Sequence, residues 1–273
     1  MRISHSAKDT YTTCAYSYFL KYMWKLRPTQ LRSPLAFGDA IDTGLNHLLE
    51  TRDLAKAKFE FDIRWNTYRE KDVAYSKSDL DEFLVEDDPG NTWLSLLRRG
   101  NILLEEFNEQ IMPRIKDVVK VQLDQTAQND MGDELVIKTD FICVWEDGRR
   151  ILFDNKTSSM KYAEDSVRVS PQLAIYYETL KAEYSLDCAG YIVIPKRINK
   201  IKTPRVKIEV IIDNIDPETT AKTLESYDEV LRQIKAANFI QNKQSCISVF
   251  GKCDFYNYCH QGDLAGLIEK KEK

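Results

Sequence analysis

Glu134-Leu-Val-Ile-Lys-Thr-Asp140-Phe-Ile-Cys-Val-Trp145-Glu-Asp147-Gly148-Arg-Arg-Ile-Leu-Phe153-Asp154-Asn155-Lys156 is the stretch on which the fold turns. Two β-rich runs, Glu134–Trp145 and Arg149–Asn155, flank Asp147-Gly148, a strong short hairpin signal. Asp154 and Lys156 stand at i and i+2 of one strand and therefore share a face. Counting from the turn places residue 155 about opposite residue 140, so a one-residue bulge or offset is expected to bring Asp140 beside Asp154. Two carboxylates and an amine then meet on one patch. Hard carboxylate oxygens suit Mg²⁺ or Mn²⁺, which polarise a phosphate and acidify a bound water. Asp-x-Lys by itself is common on exposed strand edges, so the hairpin alone decides the architecture and not the chemistry.

Working outward, residues 7–26 read as an aromatic-rich helix ended by Pro28, its ring stripe expected to be core rather than a nucleic-acid contact. Residues 36–50 form a second helix, with Ala40, Ile41, Leu45, Leu48 and Leu49 at helical spacing. A polar helical stretch is broken by the Asp87-Asp88-Pro89-Gly90 turn, and residues 92–112 resume as a helix. Val118–Gln122 reads as a strand. Beyond the hairpin come a helix over 168–184, strands at Tyr191–Pro195 and Val206–Ile212, and a helix capped by Asp216 that runs to about Ala237. The order implies an α/β core with a helical lobe before it. The whole chain, 1–273, is expected to be one domain: a first helix over 1–35, a helical lobe over 36–115, the core over 116–240 and a cysteine-rich tail over 241–273.

The 273 residues are 43% hydrophobic and 30% charged, with a net charge of −4. A chain-wide basic footprint for nucleic acid is absent, which leaves local patches. The densest is Lys196-Arg197 … Lys200 … Lys202 … Arg205-Val-Lys207, either a phosphate track or a solvated hairpin edge. The longest apolar runs fall well short of the roughly 20 residues of a membrane helix. The polar opening MRISHSAKDT argues against a secretory signal, so the cytoplasm is the expected compartment. Neither G-x-x-x-x-G-K-[S/T] nor G-x-G-x-x-G occurs, so any ATP-driven unwinding would come from a helicase or recombination partner.

Two further constellations stand out. Ser170-Pro171-Gln172-Leu-Ala-Ile-Tyr176 puts Gln172 and Tyr176 on one helix face, with Pro171 suited to the first turn. Such a pair can hydrogen-bond a phosphate and stack on a base. Cys246, Cys253 and Cys259 fall within a short tail, and in a reducing compartment clustered cysteines more often bind metal than pair. Cys143 and Cys188 read as small buried hydrophobes. His260 follows Cys259 without an evident role.

Asp140, Asp154-Asn155-Lys156 and Gln172-x-x-x-Tyr176 together resemble the RecB-type branch of the PD-(D/E)xK nucleases. The resemblance extends upstream, to Ile3-Ser4-His5-Ser6 … Cys14-Ala-Tyr-Ser-Tyr-Phe-Leu-Lys-Tyr22 and to Leu35-Ala-Phe-Gly38-Asp-Ala-Ile-Asp42. It implies a restriction-endonuclease-like α/β fold, with a mixed central sheet flanked by helices. It also implies a metal-dependent DNA nuclease, an exonuclease in the first instance. Asp140, Asp154 and the carbonyl of Asn155 would ligate Mg²⁺ or Mn²⁺, Lys156 would act in catalysis, and Gln172 and Tyr176 would position single-stranded DNA or a duplex end. Two positions depart from the family pattern. Asp42 stands where a metal-reaching histidine is usual, and Ile137 where glycine is usual. His47 lies five residues beyond Asp42, about 140° further round the helix, and is a poorer substitute. The departure at Asp42 keeps open a catalytically weak DNA-binding descendant of the family.

The same resemblance extends to nucleases that place one cysteine before the core and three after it around a [4Fe–4S] cluster. It implies Cys14, Cys246, Cys253 and Cys259 as the ligands. Zinc is the competing reading, since four cysteines also suit tetrahedral Zn²⁺, but the C-x₂₋₄-C knuckles usual for zinc are missing.

Overall fold

The computed structural model describes residues 1–69, 71, 73–75, 92–158, 161–195, 206–248 and 251–270. In chain order, the elements are β1 (Arg2–Ser4), α1 (His5–Thr13), α2 (Ala15–Tyr18), β2 (Leu26–Pro28), β3 (Leu31–Arg32), α3 (Ser33–Thr51), α4 (Leu54–Asn66), β4 (Val73–Ala74), α5 (Thr92–Gln110), β5 (Ile115–Gln128), β6 (Glu134–Trp145), β7 (Arg150–Ser158), α6 (Pro171–Tyr184), β8 (Cys188–Pro195), β9 (Glu209–Asp213), α7 (Pro217–Lys235), β10 (Ile247–Ser248), β11 (Gly251–Lys252), α8 (Tyr256–Gln261) and β12 (Leu267–Glu269). They form two compact units. One comprises residues 1–30, 125–137 and 221–273, the other residues 31–124 and 138–220.

The second unit carries a mixed sheet flanked by helices, in the order β6-β7-β8-β9 with β5 against β6. β6 and β7 are antiparallel, β7 and β8 parallel, and β8 and β9 antiparallel. Gly148 turns the hairpin with φ +93°, a conformation that costs glycine little. Trp145 and Arg149 close the turn by a 2.8 Å backbone bond. The parallel step from β7 to β8 requires a crossover, and α6 supplies it. Ser170 caps α6 by accepting the Leu173 N–H at 3.1 Å, and Pro171 begins its first turn.

One face of this sheet is the core. Phe141, Cys143, Trp145, Ile151, Phe153, Ile192 and Ile194 are all 1% exposed or less, and they pack with α3, α4 and α5 through Phe37, Ile41, Leu45, Phe61, Trp65, Leu104 and Phe107. Phe141 and Phe153 stack at 5.3 Å between ring centroids. Burying each such ring contributes about 1.5–3 kcal/mol. Cys143 and Cys188 are both buried, as expected of small hydrophobes.

The other unit opens with β1 running parallel to Glu134–Val136. The Asp133 carboxylate receives the Met1 amine at 2.7 Å and Lys235 of α7 at 2.6 Å. The anticipated helix over 7–26 is broken. Cys14 is extended (φ −159°) between α1 and α2, and a wide turn over Phe19–Met23 completes the segment. The aromatic stripe divides: Tyr11 and Tyr18 are buried and pack with Phe239, while Trp24 is exposed.

Other boundaries also move. α3 begins at Ser33, three residues before expectation, and β5 spans 14 residues where only a short strand is legible. The Asp-Asp-Pro-Gly turn at 87–90 and the basic stretch over 196–205 lie outside the described residues.

Gly190 of β8 pairs with Phe153, whose ring lies over it; a Cβ there would stand 2.5 Å from the ring and 2.9 Å from the Ile211 carbonyl. Phe153 is hemmed in by Phe141 and Trp145, so it has little room to yield. Gly190→Ala is expected to destabilise the protein by about 1–3 kcal/mol, read by urea denaturation. A change within about 0.3 kcal/mol would mean that this packing is looser than described.

Candidate active site

Alternation along β6 and β7 leaves Asp140, Asp154 and Lys156 on the face opposite Phe141 and Phe153. The register pairs Phe141 with Phe153. The next step therefore brings Asp140 level with Asp154, by a one-residue offset from the count of the turn and without a bulge. In place of a further ladder bond, the Asn155 N–H donates to Asp140 Oδ2 at 2.6 Å. Asn155 Oδ1 is buried without a hydrogen-bond partner.

Lys156 Nζ lies 2.6 Å from Asp154 Oδ2 and donates to Gln172 Oε1 at 2.9 Å. Gln172 Nε2 donates to Asp154 Oδ1 at 2.9 Å. The glutamine thus bridges the acid and the amine from the first turn of α6. Tyr176, one turn on, is buried. Burial raises its phenol pKa, and a hydrogen bond with Gln172 opposes the rise. Gln172 and Tyr176 share a helix edge, as their spacing predicts.

Asp42 of α3 joins the same field. Burial first, and then the charges of Asp154 and Asp39, push its carboxyl up to about 7, with Lys156 opposing. Asp140 is likewise raised well above the carboxylate range, by burial and then by Asp154 and Asp42. Burial works against the Lys156 charge, but Asp154 more than offsets it and raises the ammonium pKa. Three carboxyl groups thus crowd a poorly solvated space with one ammonium among them. Such a set of hard oxygens, with Asp42 and Asp140 penalised for their charge, fits a divalent cation. Among the described residues, however, no three or more His, Cys, Asp or Glu side chains form a ready metal cage. His47 faces Glu60 at 3.9 Å.

Some participants were not legible in the sequence. Asp39, one turn before Asp42, accepts hydrogen bonds from Arg64 at 3.0 Å and from Tyr68 at 2.7 Å. Burial works against its charge, yet these bonds hold its pKa below the usual range. The i,i+4 spacing of Arg64 and Tyr68 was available as a hint, but nothing in it pointed to Asp39. Tyr191 of β8 pairs with Asp154 in the parallel register, and its ring centroid lies 5.6 Å from Lys156 Nζ. No sequence signal fixes the register of a crossover strand.

A family model described as the PD-(D/E)XK nuclease superfamily matches residues 2–260. The chain belongs to the PD-(D/E)XK nuclease superfamily. As a member of that superfamily it is a nuclease, an enzyme that hydrolyses phosphodiester bonds. A crystal structure described as a "Putative exonuclease" from Eubacterium rectale is similar, with a TM-score of 0.55 at 12% identity over 100% of this chain and 90% of that one. At that identity the likeness shows the fold alone, and it agrees with a restriction-endonuclease-like core. The crystal structure of SSO0001 has a TM-score of 0.33 at 13% identity over 80% of this chain and 79% of that one, and carries no argument. No curated protein sequence matches this chain. No helix among the described residues is long and apolar enough to cross a membrane.

The four cysteines singled out at the two chain ends lie in the other unit. Cys14, Cys246, Cys253 and Cys259 line one small pocket with Ser17, Asn242 and His260. The Asn242 N–H points at Cys14 Sγ from 3.4 Å, and Ser17 Oγ lies 3.8 Å from Cys253 Sγ. Burial and the other three thiols push Cys259 up to about 11. These sulfurs are neighbours, but they too form no ready metal cage. His260 packs against Tyr256, with ring centroids 4.4 Å apart.

The crowding of acids has a measurable cost. The folded-state pKa of Asp42, about 7, lies above the ordinary 3.8. The folded chain therefore holds this proton more tightly than the unfolded one. That contribution is complete below pH about 4 and is lost as pH rises through about 7. In EDTA, Asp42→Asn is expected to stabilise the protein relative to wild type at about pH 7.5 and to have much less effect at about pH 4. Urea titrations at the two values check this, and an equal effect at both would mean that Asp42 titrates normally.

Proposed function

We propose that this nuclease is a metal-dependent deoxyribonuclease, acting as an exonuclease on single-stranded DNA or duplex ends. The observation that carries the reading is the convergence of Asp42, Asp140, Asp154 and Lys156, with Gln172 bridging Asp154 and Lys156. Asp42, Asp140, Asp154 and the Asn155 carbonyl would hold Mg²⁺ or Mn²⁺. Such an ion polarises a phosphate and acidifies a water. Lys156, charged at any physiological pH, stabilises negative charge that develops on the phosphate. Gln172 orients the Lys156 amine, and Gln172 with Tyr176 lines the approach of the strand. Exonuclease action is also the description given to the Eubacterium rectale neighbour.

On end-labelled DNA, wild type is expected to release nucleotides with Mg²⁺ or Mn²⁺ and none in EDTA. Lys156→Ala is expected to lower the rate by about 100-fold or more with an unchanged melting temperature. A folded Lys156→Ala protein that cuts as wild type does would falsify the assignment.

The four cysteines fit a second role in the same protein, a structural [4Fe–4S] cluster, with zinc as the alternative occupant. What supports it is four thiols from the two ends of the chain around one pocket, where burial and the neighbouring thiols disfavour the ionisation of Cys246 and Cys259 until a cation compensates. Anaerobically purified protein is expected to be brown and to contain iron. Cys253→Ala is expected to lose the colour and to lower the melting temperature. Colourless protein carrying one zinc would assign the site to zinc, and protein free of both metals would leave the cysteines without a metal role.

A further inference from the structure

Lys156 has a partner that the reading of the site leaves unused. Its ammonium meets Asp154 Oδ2 at 2.6 Å, Gln172 Oε1 at 2.9 Å and the face of the Tyr191 ring at 5.6 Å from the centroid. An ammonium on a four-carbon stem has many rotamers, so its place must be fixed by what surrounds it. Asp154 cannot do this alone. If its oxygens engage a cation, their hold on the amine weakens. The remaining partners are the glutamine and the aromatic face, and a poorly solvated cation over such a face is held appreciably.

Tyr191 is itself firmly set. It is buried, it pairs with Asp154 across the β7–β8 ladder, and the Tyr162 ring meets it at 5.3 Å and 64°. Its hydroxyl lies 2.6 Å from Ser170 Oγ. The same Ser170 oxygen takes the Leu173 N–H and starts α6, the helix that carries Gln172. One serine hydroxyl therefore anchors both neutral partners of Lys156.

We infer that Tyr191 is a positioning residue: its ring, set by the β7–β8 ladder and the Tyr162 ring, holds the Lys156 ammonium in its working place beside Asp154. The inference rests on the proposed role of Lys156 and adds to it how the amine is held. It makes the aromatic face, and not the phenol hydroxyl, the part that acts on Lys156.

The test joins a spectroscopic signature to kinetics on the full-length protein. In metal-free wild type labelled with ¹³C-lysine, with Lys156 assigned by its absence from Lys156→Arg, the Lys156 ε-methylene protons should lie upfield of the other lysines through the ring current. Tyr191→Leu should abolish that displacement. It should also lower kcat by about 30-fold with KM within about threefold of wild type. Tyr191→Phe should keep the displacement and stay within about threefold of the wild-type kcat. In a Lys156→Ala background, Tyr191→Leu should cause no additional loss. An undisplaced Lys156 signal in wild type overturns the inference. So does a folded Tyr191→Leu protein with wild-type kcat, or the same loss with and without Lys156. If Tyr191→Leu does not fold, the wild-type and Tyr191→Phe spectra decide. Should Lys156→Ala cleave normally, the role of Lys156 fails, while the ring-current displacement still decides whether Tyr191 holds the amine.

Discussion

The register between β6 and β7 is the constraint on which the rest depends. With a side-chain period of two, slipping the hairpin by one residue would send Asp140 to the core face and a phenylalanine to the face it left. Gly148 at the turn and the stacked Phe141–Phe153 pair both oppose that slip, one through backbone conformation and the other through burial. The same strands thus divide their labour by parity. Odd positions bury Phe141, Cys143, Ile151 and Phe153 completely, while even positions bring Asp140, Asp154 and Lys156 together. The site and the core behind it are made from alternate residues of the same ladder.

What was legible in the sequence follows the range of the forces involved. The hairpin, the same-face placement of Asp154 and Lys156, and the shared face of Gln172 and Tyr176 are local consequences of period and turn chemistry. Helix α6 could be anticipated for the same reason: Ser170 and Pro171 are adjacent start signals. The register was legible only to within a residue, since backbone pairing near a turn depends on how the turn closes. The break at Cys14 was also hidden, because Tyr11, Tyr16, Tyr18, Phe19 and Tyr22 suit a continuous helix. Nothing local marks Cys14 as extended; the contact of its sulfur with the Asn242 N–H joins residues 228 apart. Tyr191 and Asp39 were missed for a related reason. Tyr191 comes beside Lys156 through a parallel crossover, and Asp39 owes its state to Arg64 and Tyr68 on another helix.

The electrostatics of the site also set the state of Asp42. A histidine at position 42 would bring a neutral or positive group to the carboxylates, whereas Asp42 brings a further acid. In a space this poorly solvated, that acid is driven towards its neutral form, and its pKa of about 7 places its ionisation close to physiological pH. Asp39 sharpens the effect. Its own charge is secured by Arg64 and Tyr68, so it stays ionised one turn from Asp42 and adds to the field that raises it. Without a compensating cation, the ionised form of Asp42 works against folding.

Charge crowding of this kind persists only where the surrounding structure outweighs it. Here the opposing terms can be named. Phe153 lies directly behind Asp154 in sequence, on the other face of the strand, and is closed in by Gly190, Phe141 and Trp145. Moving the Asp154 backbone away from Asp140 would require Phe153 to leave that packing. Lys156 is tied to Asp154 and Gln172, and Gln172 to the capped start of α6. Relaxation of the acids is therefore opposed on both sides, by apolar packing on one face and by the hydrogen-bonded bridge on the other. Repulsion that cannot relax by movement must relax by binding, either of protons, as the raised carboxyls show, or of a cation. Proton binding is set by pH, and at Asp42, pushed up to about 7, it gives way near neutrality to a charge that the packed surroundings must hold.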